Sequence, residues 1–282
     1  MELSKLRIGA AITVTAAFGY MLAAGTVDAG MIVPLLGTLI LATGASALNQ
    51  YQEHEYDAMM ARTADRPIPK GELQPNIALY LSIAIILVGL WVLSLCESEW
   101  PVVLGMANVV WYNIIYTPLK RKSAWAVVPG SVVGALPPMI GFAAAGGDVF
   151  QMDILYFAMF IFVWQIPHFW ILLLKYDKEY VRAGYPVLTE KLSKEQLLSM
   201  IFAWTMTLAG LALIMPMFGL GTSIVVFSIN LLLTVWIIRK SIVEYKKGLE
   251  EFNGKGMFLS LNIYVMCLLL VVALERVFFI LI

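Results

Sequence analysis

The chain of 282 residues is 61% hydrophobic and only 13% charged, and its formal net charge is zero. Its mean hydropathy is +0.83, whereas soluble domains are roughly 45–50% apolar and about 25% charged. The composition therefore excludes an ordinary soluble domain, and the balanced charge gives no reason to expect a nucleic-acid partner. Two cysteines without a CxxC motif or a Cys/His cluster exclude a zinc site.

Nine apolar stretches predict membrane-spanning helices, because a helix of about 20 apolar residues crosses a bilayer. These stretches are 8–25, 30–48, 77–96, 100–116, 125–145, 152–174, 197–217, 222–238 and 258–280. The first stretch is long and leads directly into the second, so we expect it to remain as a span rather than to be cleaved as a signal peptide. The sequence thus predicts an all-α integral membrane protein, with a single polytopic domain over residues 1–282.

Lys and Arg residues are confined to alternate loops. They occupy the N-terminus and the loops after the second, fourth, sixth and eighth spans, whereas the intervening loops carry only Asp and Glu. The exception is Arg276, near the far end of the last span. Because cytoplasmic loops are enriched in Lys and Arg, we expect the N-terminus and the basic loops to face the cytoplasm and the C-terminus to lie outside.

Three oxygen-bearing side chains at the end of the second span are placed at helical spacing. Asn49, Glu53 and Asp57 are four residues apart, so a continued helix would place them on one face. Carboxylate and amide oxygens are ligands of Mg²⁺, which usually shares its coordination with substrate phosphates. An ordinary polar helix end is the alternative, but it fits Asn49 poorly, because a polar group at the apolar end of a span is costly without a partner.

Two arginines, Arg62 and Arg66, come next in the sequence. Guanidinium groups bind phosphate oxygens in bidentate fashion, so acidic ligands followed by arginines predict a site that holds a diphosphate together with Mg²⁺. Pro67 and Pro69 are expected to end the helix, and Gly71 to let the chain turn.

A second polar cluster follows the sixth span and includes Asp177 and Glu179. Such loops are common in membrane proteins, so the cluster alone indicates little. It returns to the same membrane face as the first cluster, where it would supply further carboxylates. Of the two, Asp177 is the first choice as a metal ligand and Glu179 the second.

A basic segment after the fourth span contains Tyr116, Lys120 and Arg121. Two interpretations fit it equally well: a basic stop that fixes the topology, or further neutralisation of a bound phosphate. The spacing does not decide between them.

Trp164, Gln165, Pro167 and His168 lie inside the sixth span. Polar groups at that depth usually face the bundle interior or a cavity, and Pro167 interrupts the helical hydrogen-bond ladder beside them. For His168, contact with an acceptor molecule and a purely structural hydrogen bond are equally supported alternatives.

The fifth span combines prolines with glycines. It contains Pro137 and Pro138 together with Gly130, Gly134 and Gly141. Prolines kink helices, and small residues let two membrane helices approach closely. We therefore expect a kinked helix that packs tightly against its neighbours.

Five stretches of the chain together resemble the UbiA superfamily of intramembrane prenyltransferases. They are 49–71, with its Arg-Thr-x-x-Arg-Pro core, 116–121, 134–141, 164–169 and 183–186. The first is typical of the superfamily, and the other four as a set are typical of its haem-modifying branch. The resemblance covers nearly the whole chain.

The resemblance implies nine helices around a central cavity and a set of site residues. Its implied metal ligands are Asn49, Glu53 and Asp57, with Asp177 and Glu179 in a second acidic region. Its implied catalytic groups also include Arg62, Arg66, Lys120 and Arg121, and its implied substrate-binding residues are His168, Gln165, Trp164 and Tyr116. Glu53 and Glu179 stand where many members have Asp, which keeps the carboxylate and lengthens its reach.

The reaction that the resemblance implies is transfer of a farnesyl group from farnesyl diphosphate to a vinyl group of haem B, with Mg²⁺ as cofactor, which gives haem O. The implied location is a bacterial cell (inner) membrane. The implied partners are the lipid bilayer and the two substrates, with a haem-modifying enzyme or a terminal oxidase assembly protein as a candidate protein partner.

Two other functions fit the sequence less well. A UbiA-type enzyme that acts on an aromatic or quinone precursor would have a similar metal motif, and the residues alone do not choose the acceptor. A transporter or passive membrane scaffold is the third hypothesis. Transport requires polar groups along a path through both sides of the membrane, whereas the polar clusters here gather on one side only.

Overall fold

The computed structural model describes residues 6–279, and the side chains of residues 9–278. Within this part the chain is helical and contains no strand. Its α-helices are α1 (Leu6–Ala24), α2 (Ile32–Ala58), α3 (Pro75–Leu93), α4 (Trp100–Val109), α5 (Thr117–Leu119), α6 (Val127–Gly130), α7 (Val132–Ala144), α8 (Met152–Arg182), α9 (Lys194–Ile214), α10 (Ile224–Lys246) and α11 (Gly254–Phe279). A π-helical segment, Val110–Tyr116, joins α4 to α5.

Eight of the described helical segments are long and apolar enough to cross a membrane, and α1 adds a shorter apolar segment, Gly9–Ala24. The prediction of nine spans is therefore confirmed for the described part of the chain. Lys5 and residue 280, the last residue of the ninth predicted span, lie outside the described residues. The chain is an integral, multi-pass membrane protein.

Three helices, α2, α8 and α10, extend well beyond the apolar stretches that predict them. α2 reaches Ala58 and α8 reaches Arg182, and α8 continues without interruption past Pro167. The assignment of the cluster around Asp177 to a loop was therefore wrong. Hydropathy marks where a span leaves the apolar layer, whereas a helix satisfies its own backbone and continues into the polar region until a cap ends it.

The spans form a closed ring in chain order. Each of α1, α2, α3, α4, α7, α8, α9, α10 and α11 contacts the next, and α11 also contacts α1. Four further contacts join helices that are not neighbours in this ring: α1 with α7, α8 with α11, α2 with α7 and α2 with α4. The largest apolar core lies around α1, α8, α9 and α11.

Glycines set the close approach between α1 and α7. A Cβ atom at Gly19 would meet the Pro138 carbonyl, and one at Gly141 would meet the Ala16 carbonyl. Neither contact leaves room for a methyl group, because the atoms in the way belong to the backbone. The prediction of tight packing along the fifth span is confirmed at Gly141.

The kink predicted in the fifth span lies at Ser131, not at the prolines. The interruption separates α6 from α7, and both Pro137 and Pro138 lie inside α7. The Ser131 carbonyl accepts a hydrogen bond from Gln165 Nε2 at 2.8 Å. A side chain of α8 therefore bonds to the backbone at the interruption of the fifth span.

Substitution of Gly141 by alanine tests this packing. We expect Gly141→Ala to destabilise the protein by about 1–3 kcal/mol, the usual range for overpacking, because α1 must move away from α7. The matched control is Gly210→Ala in α9, where a Cβ atom meets nothing within 4 Å. Thermal unfolding in detergent should show a lower Tm for Gly141→Ala only; equal Tm values would contradict the packing argument.

Candidate active site

The last three turns of α2 carry the first polar motif on one buried face. Asn49, Glu53 and Asp57 are 1%, 4% and 1% exposed. The predicted common face is confirmed. The predicted helix end at Pro67 was wrong, because α2 ends at Ala58. There the Thr63 hydroxyl donates a hydrogen bond to the Asp57 carbonyl at 2.9 Å, in addition to the Met60 N–H at 3.3 Å.

The Glu53 carboxylate joins three segments of the chain. Its Oε2 accepts hydrogen bonds from Asn49 Nδ2 at 3.0 Å and from Lys120 Nζ at 2.6 Å. Its Oε1 accepts one from the Tyr185 hydroxyl at 2.9 Å. A buried carboxylate is tolerated only when it is paired and hydrogen-bonded. Here Lys120 supplies the charge and Tyr185 the second hydrogen bond.

Asp57 is held by a similar ion pair from the other side. The turns after α2 fold back so that Arg66 NH1 binds Asp57 Oδ2. Arg66 therefore lies outside the helix that carries Asp57. A helix that continued through Arg62 and Arg66 would have placed both residues on α2. The motif thus brings each of its two carboxylates into contact with one cation from outside α2.

Burial changes the proton affinity of the groups around Glu53. Burial lowers the pKa of Lys120, an effect that the neighbouring Glu53 carboxylate opposes. Burial and the same carboxylate raise the pKa of Tyr185. Tyr185 therefore stays protonated and remains a hydrogen-bond donor to Glu53 throughout the physiological pH range.

The π-helical segment orients the chain towards α2. Within it, the Thr117 N–H bonds to the Tyr112 carbonyl five residues back, and Pro118 has no N–H to offer to Asn113. Gln52 Nε2 instead donates to the Asn113 carbonyl at 2.9 Å. Segments of π-helix occur frequently at functional sites, and this one places the Lys120 region against the motif on α2.

Two contacts anchor the residues that follow the π-helical segment. Asn49 Nδ2 donates to Thr117 Oγ1 at 3.0 Å. The Lys120 ammonium lies 5.4 Å from the centre of the Tyr116 ring. Together they fix the basic segment next to the carboxylates of α2.

Arg121 contacts the same face of α2 from a different direction. Its NH2 group donates to the Gln52 carbonyl, and its guanidinium lies 4.6 Å from the centre of the Tyr56 ring. Its Nε is buried without a hydrogen-bond partner. The basic segment is thus folded onto the acidic motif. Basic residues that only fixed the membrane topology would not need these contacts.

Arg62 and the end of α8 meet beside the first motif. The Arg62 backbone N–H donates to Glu179 Oε2 at 3.4 Å, and its NH2 group donates to the Tyr180 hydroxyl at 3.4 Å. Its guanidinium also lies 5.6 Å from the centre of the Tyr176 ring. The structure therefore brings the second polar cluster next to the first, with Glu179 on the shared side.

Asp177 faces elsewhere. Residues two apart on a helix point to nearly opposite sides, and Asp177 Oδ2 pairs with Lys194 Nζ at 2.8 Å. This pair lines an open cleft of about 440 Å³ between α8 and the start of α9. In residues 6–279, no group of three or more His, Cys, Asp or Glu side chains is close enough to hold a metal ion.

The polar residues inside α8 have separate environments. Gln165 Nε2 donates to the Ser131 and Ile161 carbonyls, at 2.8 and 3.2 Å. His168 Nδ1 lies 3.0 Å from Asn262 Oδ1 on α11. The Trp164 ring is centred 5.1 Å from that of His168, and its Nε1–H is buried without a hydrogen-bond partner.

The side-chain oxygens at the end of α2 are of the kind that Mg²⁺ binds. Both donor hydrogens of Asn49 are directed to Glu53 and Thr117, and no described residue donates to its Oδ1, which leaves a neutral oxygen for a cation. Mg²⁺ is commonly held by one or two carboxylates together with substrate phosphates, so two carboxylates suffice. Lys120 and Arg66, now paired with those carboxylates, carry the charges that phosphate oxygens would attract.

Among the residues of this network that sequence reasoning missed, three link different parts of the site. Tyr185, Thr117 and Gln52 each bond to another part of the site. Tyr185 lies in the stretch 183–186 that the resemblance singled out, but nothing local marks its hydroxyl as a partner of Glu53. Thr117 and Gln52 lie in the stretches 116–121 and 49–71, next to residues that the sequence analysis named, so proximity in sequence was the available signal.

Comparison with known proteins adds an independent line of observation. The model of the UbiA prenyltransferase family matches residues 12–274. A protoheme IX farnesyltransferase of Geobacter sulfurreducens is 40% identical over 73% of this chain and 76% of that protein. Another of the same name, from Bdellovibrio bacteriovorus, is 35% identical over 86% of this chain and 82% of that protein.

Solved structures share the fold. A structure described for digeranylgeranylglyceryl phosphate synthase superposes with a TM-score of 0.78 at 14% identity and covers 98% of this chain and 96% of that one. A UbiA homologue from Archaeoglobus fulgidus, bound to GPP and Mg²⁺, gives a TM-score of 0.66 at 13% identity over 98% of this chain and 99% of that one. At such low identity the similarity establishes a common fold.

The pairing of Glu53 with Lys120 is tested by a double-variant cycle. Lys120→Met leaves a buried carboxylate without its cation, and such losses destabilise by roughly 3–5 kcal/mol. The double variant Lys120→Met/Glu53→Gln removes both charges and should regain most of that loss. Thermal unfolding of the four proteins in one detergent measures the coupling, and strictly additive Tm changes would contradict a direct ion pair.

Proposed function

We propose, on the premise that the chain belongs to the UbiA prenyltransferase family, that it transfers a farnesyl group from farnesyl diphosphate to a vinyl group of haem B, giving haem O. The observation that carries the donor half is the convergence of cations on a buried pair of carboxylates, Glu53 and Asp57. The acceptor half is supported by the name of its relatives, protoheme IX farnesyltransferase, at 33–40% identity.

The basic residues bind the diphosphate. Two segments of the chain bring Arg66, Lys120 and Arg121 into contact with the end of α2, and Arg62 lies beside them against the end of α8. When the diphosphate enters, Lys120 and Arg66 exchange a carboxylate oxygen for a phosphate oxygen, so the positive charge does not have to be brought in from water. Charge that is already in place stabilises a leaving group without reorganisation at the moment of reaction.

Asn49, Glu53 and Asp57 are the proposed Mg²⁺ ligands, with Glu179 as the contribution of the second acidic region. Mg²⁺, when bound, supplies positive charge that stabilises the diphosphate as it departs. Asp177 stays in the proposal as a residue of that region, but its pairing with Lys194 favours Glu179 as the group that faces the site.

The bond changes follow from this arrangement. The allylic C–O bond of farnesyl diphosphate breaks, and its electron pair leaves with the diphosphate. The vinyl π electrons of haem form the new C–C bond to the farnesyl carbon, and water adds to the resulting carbocation with loss of a proton. The apolar spans hold the isoprenoid chain and keep bulk water from the allylic cation before the C–C bond forms.

Four aromatic and polar residues are assigned to substrate binding. Trp164 and His168 are proposed to contact the acceptor, since the Trp164 N–H has no partner. Tyr116, beside Lys120, belongs to the diphosphate side. Gln165 acts by holding the kink at Ser131 in place, because its amide donates to that carbonyl.

The proposed location is a bacterial cell (inner) membrane, with the site on the cytoplasmic side and the C-terminus outside. The confinement of Lys and Arg to alternate loops supports this orientation. The product is a lipophilic haem, so its next user must take it from the bilayer. A haem-modifying enzyme or a terminal oxidase assembly protein fits that requirement.

The direct test uses purified protein in detergent with Mg²⁺, farnesyl diphosphate and haem B. We expect mass spectrometry to detect haem in which one vinyl group has become a hydroxyethylfarnesyl group, and EDTA to abolish its formation. A protein that binds the diphosphate but leaves haem unchanged would refute the acceptor assignment and favour an aromatic or quinone acceptor.

A matched pair of variants tests the role of Asp57. Asp57→Asn removes a buried carboxylate from the proposed metal site and should lower product formation by at least two orders of magnitude, comparable to the loss of one strong electrostatic contact. Asp65→Asn is the control, because Asp65 lies in the same segment with its side chain exposed and only a 3.5 Å contact to Lys70. Near-normal turnover of Asp57→Asn would exclude the assignment.

A further inference from the structure

His168 is bonded across the interior of the ring of helices. It lies on α8, and its Nδ1 is 3.0 Å from Asn262 Oδ1 on α11. These two helices contact each other although α9 and α10 separate them along the ring. The pair therefore lies inside the bundle rather than on its lipid-facing surface.

The orientation of the Asn262 amide is fixed by a second hydrogen bond. Its Nδ2 donates to the Phe258 carbonyl at 2.7 Å. A carbonyl only accepts hydrogen bonds, so the amide nitrogen must face Phe258 and the amide oxygen must face His168. That oxygen is also only an acceptor. The geometry thus assigns the proton of neutral His168 to Nδ1 and leaves a lone pair on Nε2.

Aromatic side chains surround His168. The rings of Phe258, Trp164 and Phe169 are centred 4.5, 5.1 and 5.1 Å from the imidazole. Within the described chain, Nε2 of His168 makes no hydrogen bond. The Trp164 N–H, buried nearby, also has no partner. A lone pair and an N–H donor are therefore both unused beside apolar rings.

We infer that Asn262 is a positioning residue of the acceptor site. It holds His168 in one tautomer, and the Nε2 atom of that tautomer binds the iron of the haem substrate. This inference rests on the proposed function. Imidazole nitrogen is a common axial ligand of haem iron, and histidine ligands of metals almost always donate their other ring N–H to an oxygen that fixes tautomer and ring orientation. Asn262 Oδ1 is that oxygen.

The tautomer is measured without haem. The chain has two histidines, so protein labelled with ¹⁵N-histidine gives two sets of ring signals, and His54→Gln identifies those of His168. We expect a protonated Nδ1 in the wild-type protein and loss of that preference in Asn262→Leu. A protonated Nε2 in the wild-type protein, or an unchanged tautomer in Asn262→Leu, would overturn the inference.

Haem binding is measured by titration of the purified protein without farnesyl diphosphate, followed by the Soret band and, after reduction, by the iron–histidine stretch in resonance Raman spectra. Loss of an outer partner of a metal ligand typically weakens binding about 10–100-fold, and we expect this for Asn262→Leu. Asn262→Asp keeps an acceptor for Nδ1–H and should retain affinity and the iron–histidine signal. His168→Ala should lose that signal, and added imidazole should restore it.

A matched control separates positioning from general loss of a buried amide. Asn230 on α10 has the same pattern of bonds: Nδ2 donates to the Ala212 carbonyl, and Oδ1 accepts from Thr234. Asn230→Leu should leave the haem spectrum unchanged. If Asn262→Leu fails to fold, the wild-type tautomer and Asn262→Asp decide the question.

The outcomes separate this inference from the proposed function. Wild-type protein that makes haem O and binds haem with the same affinity and spectrum as Asn262→Leu would overturn the role of Asn262 alone. Wild-type protein that binds farnesyl diphosphate but no haem would overturn the acceptor assignment, and with it the iron contact.

Discussion

The burial of two carboxylates at the end of α2 is the constraint on which the site depends. Glu53 and Asp57 are almost fully enclosed, and a carboxylate removed from water must be paired. Neither finds its cation on α2. Lys120 comes from the chain after the π-helical segment and Arg66 from the turns after α2, while Tyr185 arrives from beyond α8. Pairing the charges therefore forces three separate segments to converge, and this convergence is the proposed substrate site.

Packing between the apolar helices holds α2, and the site residues that it carries, in place. α2 packs closely on α3, where Gly44 and Gly89 leave no room for a Cβ atom. A motif carried on a helix that is clamped in this way is more rigid than one carried on a loop. In the proposed reaction, this apolar interior would also keep water away from the isoprenoid chain and the reactive cation. The charged groups of the proposed site lie at one end of the bundle, and the spans that make up the rest of it are apolar.

The sequence predicted the spans and the common face of Asn49, Glu53 and Asp57 because both depend on local spacing. It placed the end of α2 too late, since prolines are conspicuous in sequence whereas the capping hydroxyl of Thr63 is not. Contacts that cross long separations left no local trace: Tyr185 meets Glu53, and Asn262 meets His168 from within an apolar helix. The different orientations of Asp177 and Glu179 follow only once α8 is known to continue through both.

The π-helical segment makes the site depend on the length of the chain as well as its composition. An α-helix turns by about 100° per residue, so the residues directly after position 116 owe their direction to the extra residue taken up in that wide turn. Deletion of one residue between Trp100 and Tyr116 would rotate Thr117 and Lys120 away from α2 while leaving each of their side chains intact. In this stretch, insertions and deletions are therefore as restrictive as substitutions, and relatives that share the site should also share the residue count between α4 and Lys120.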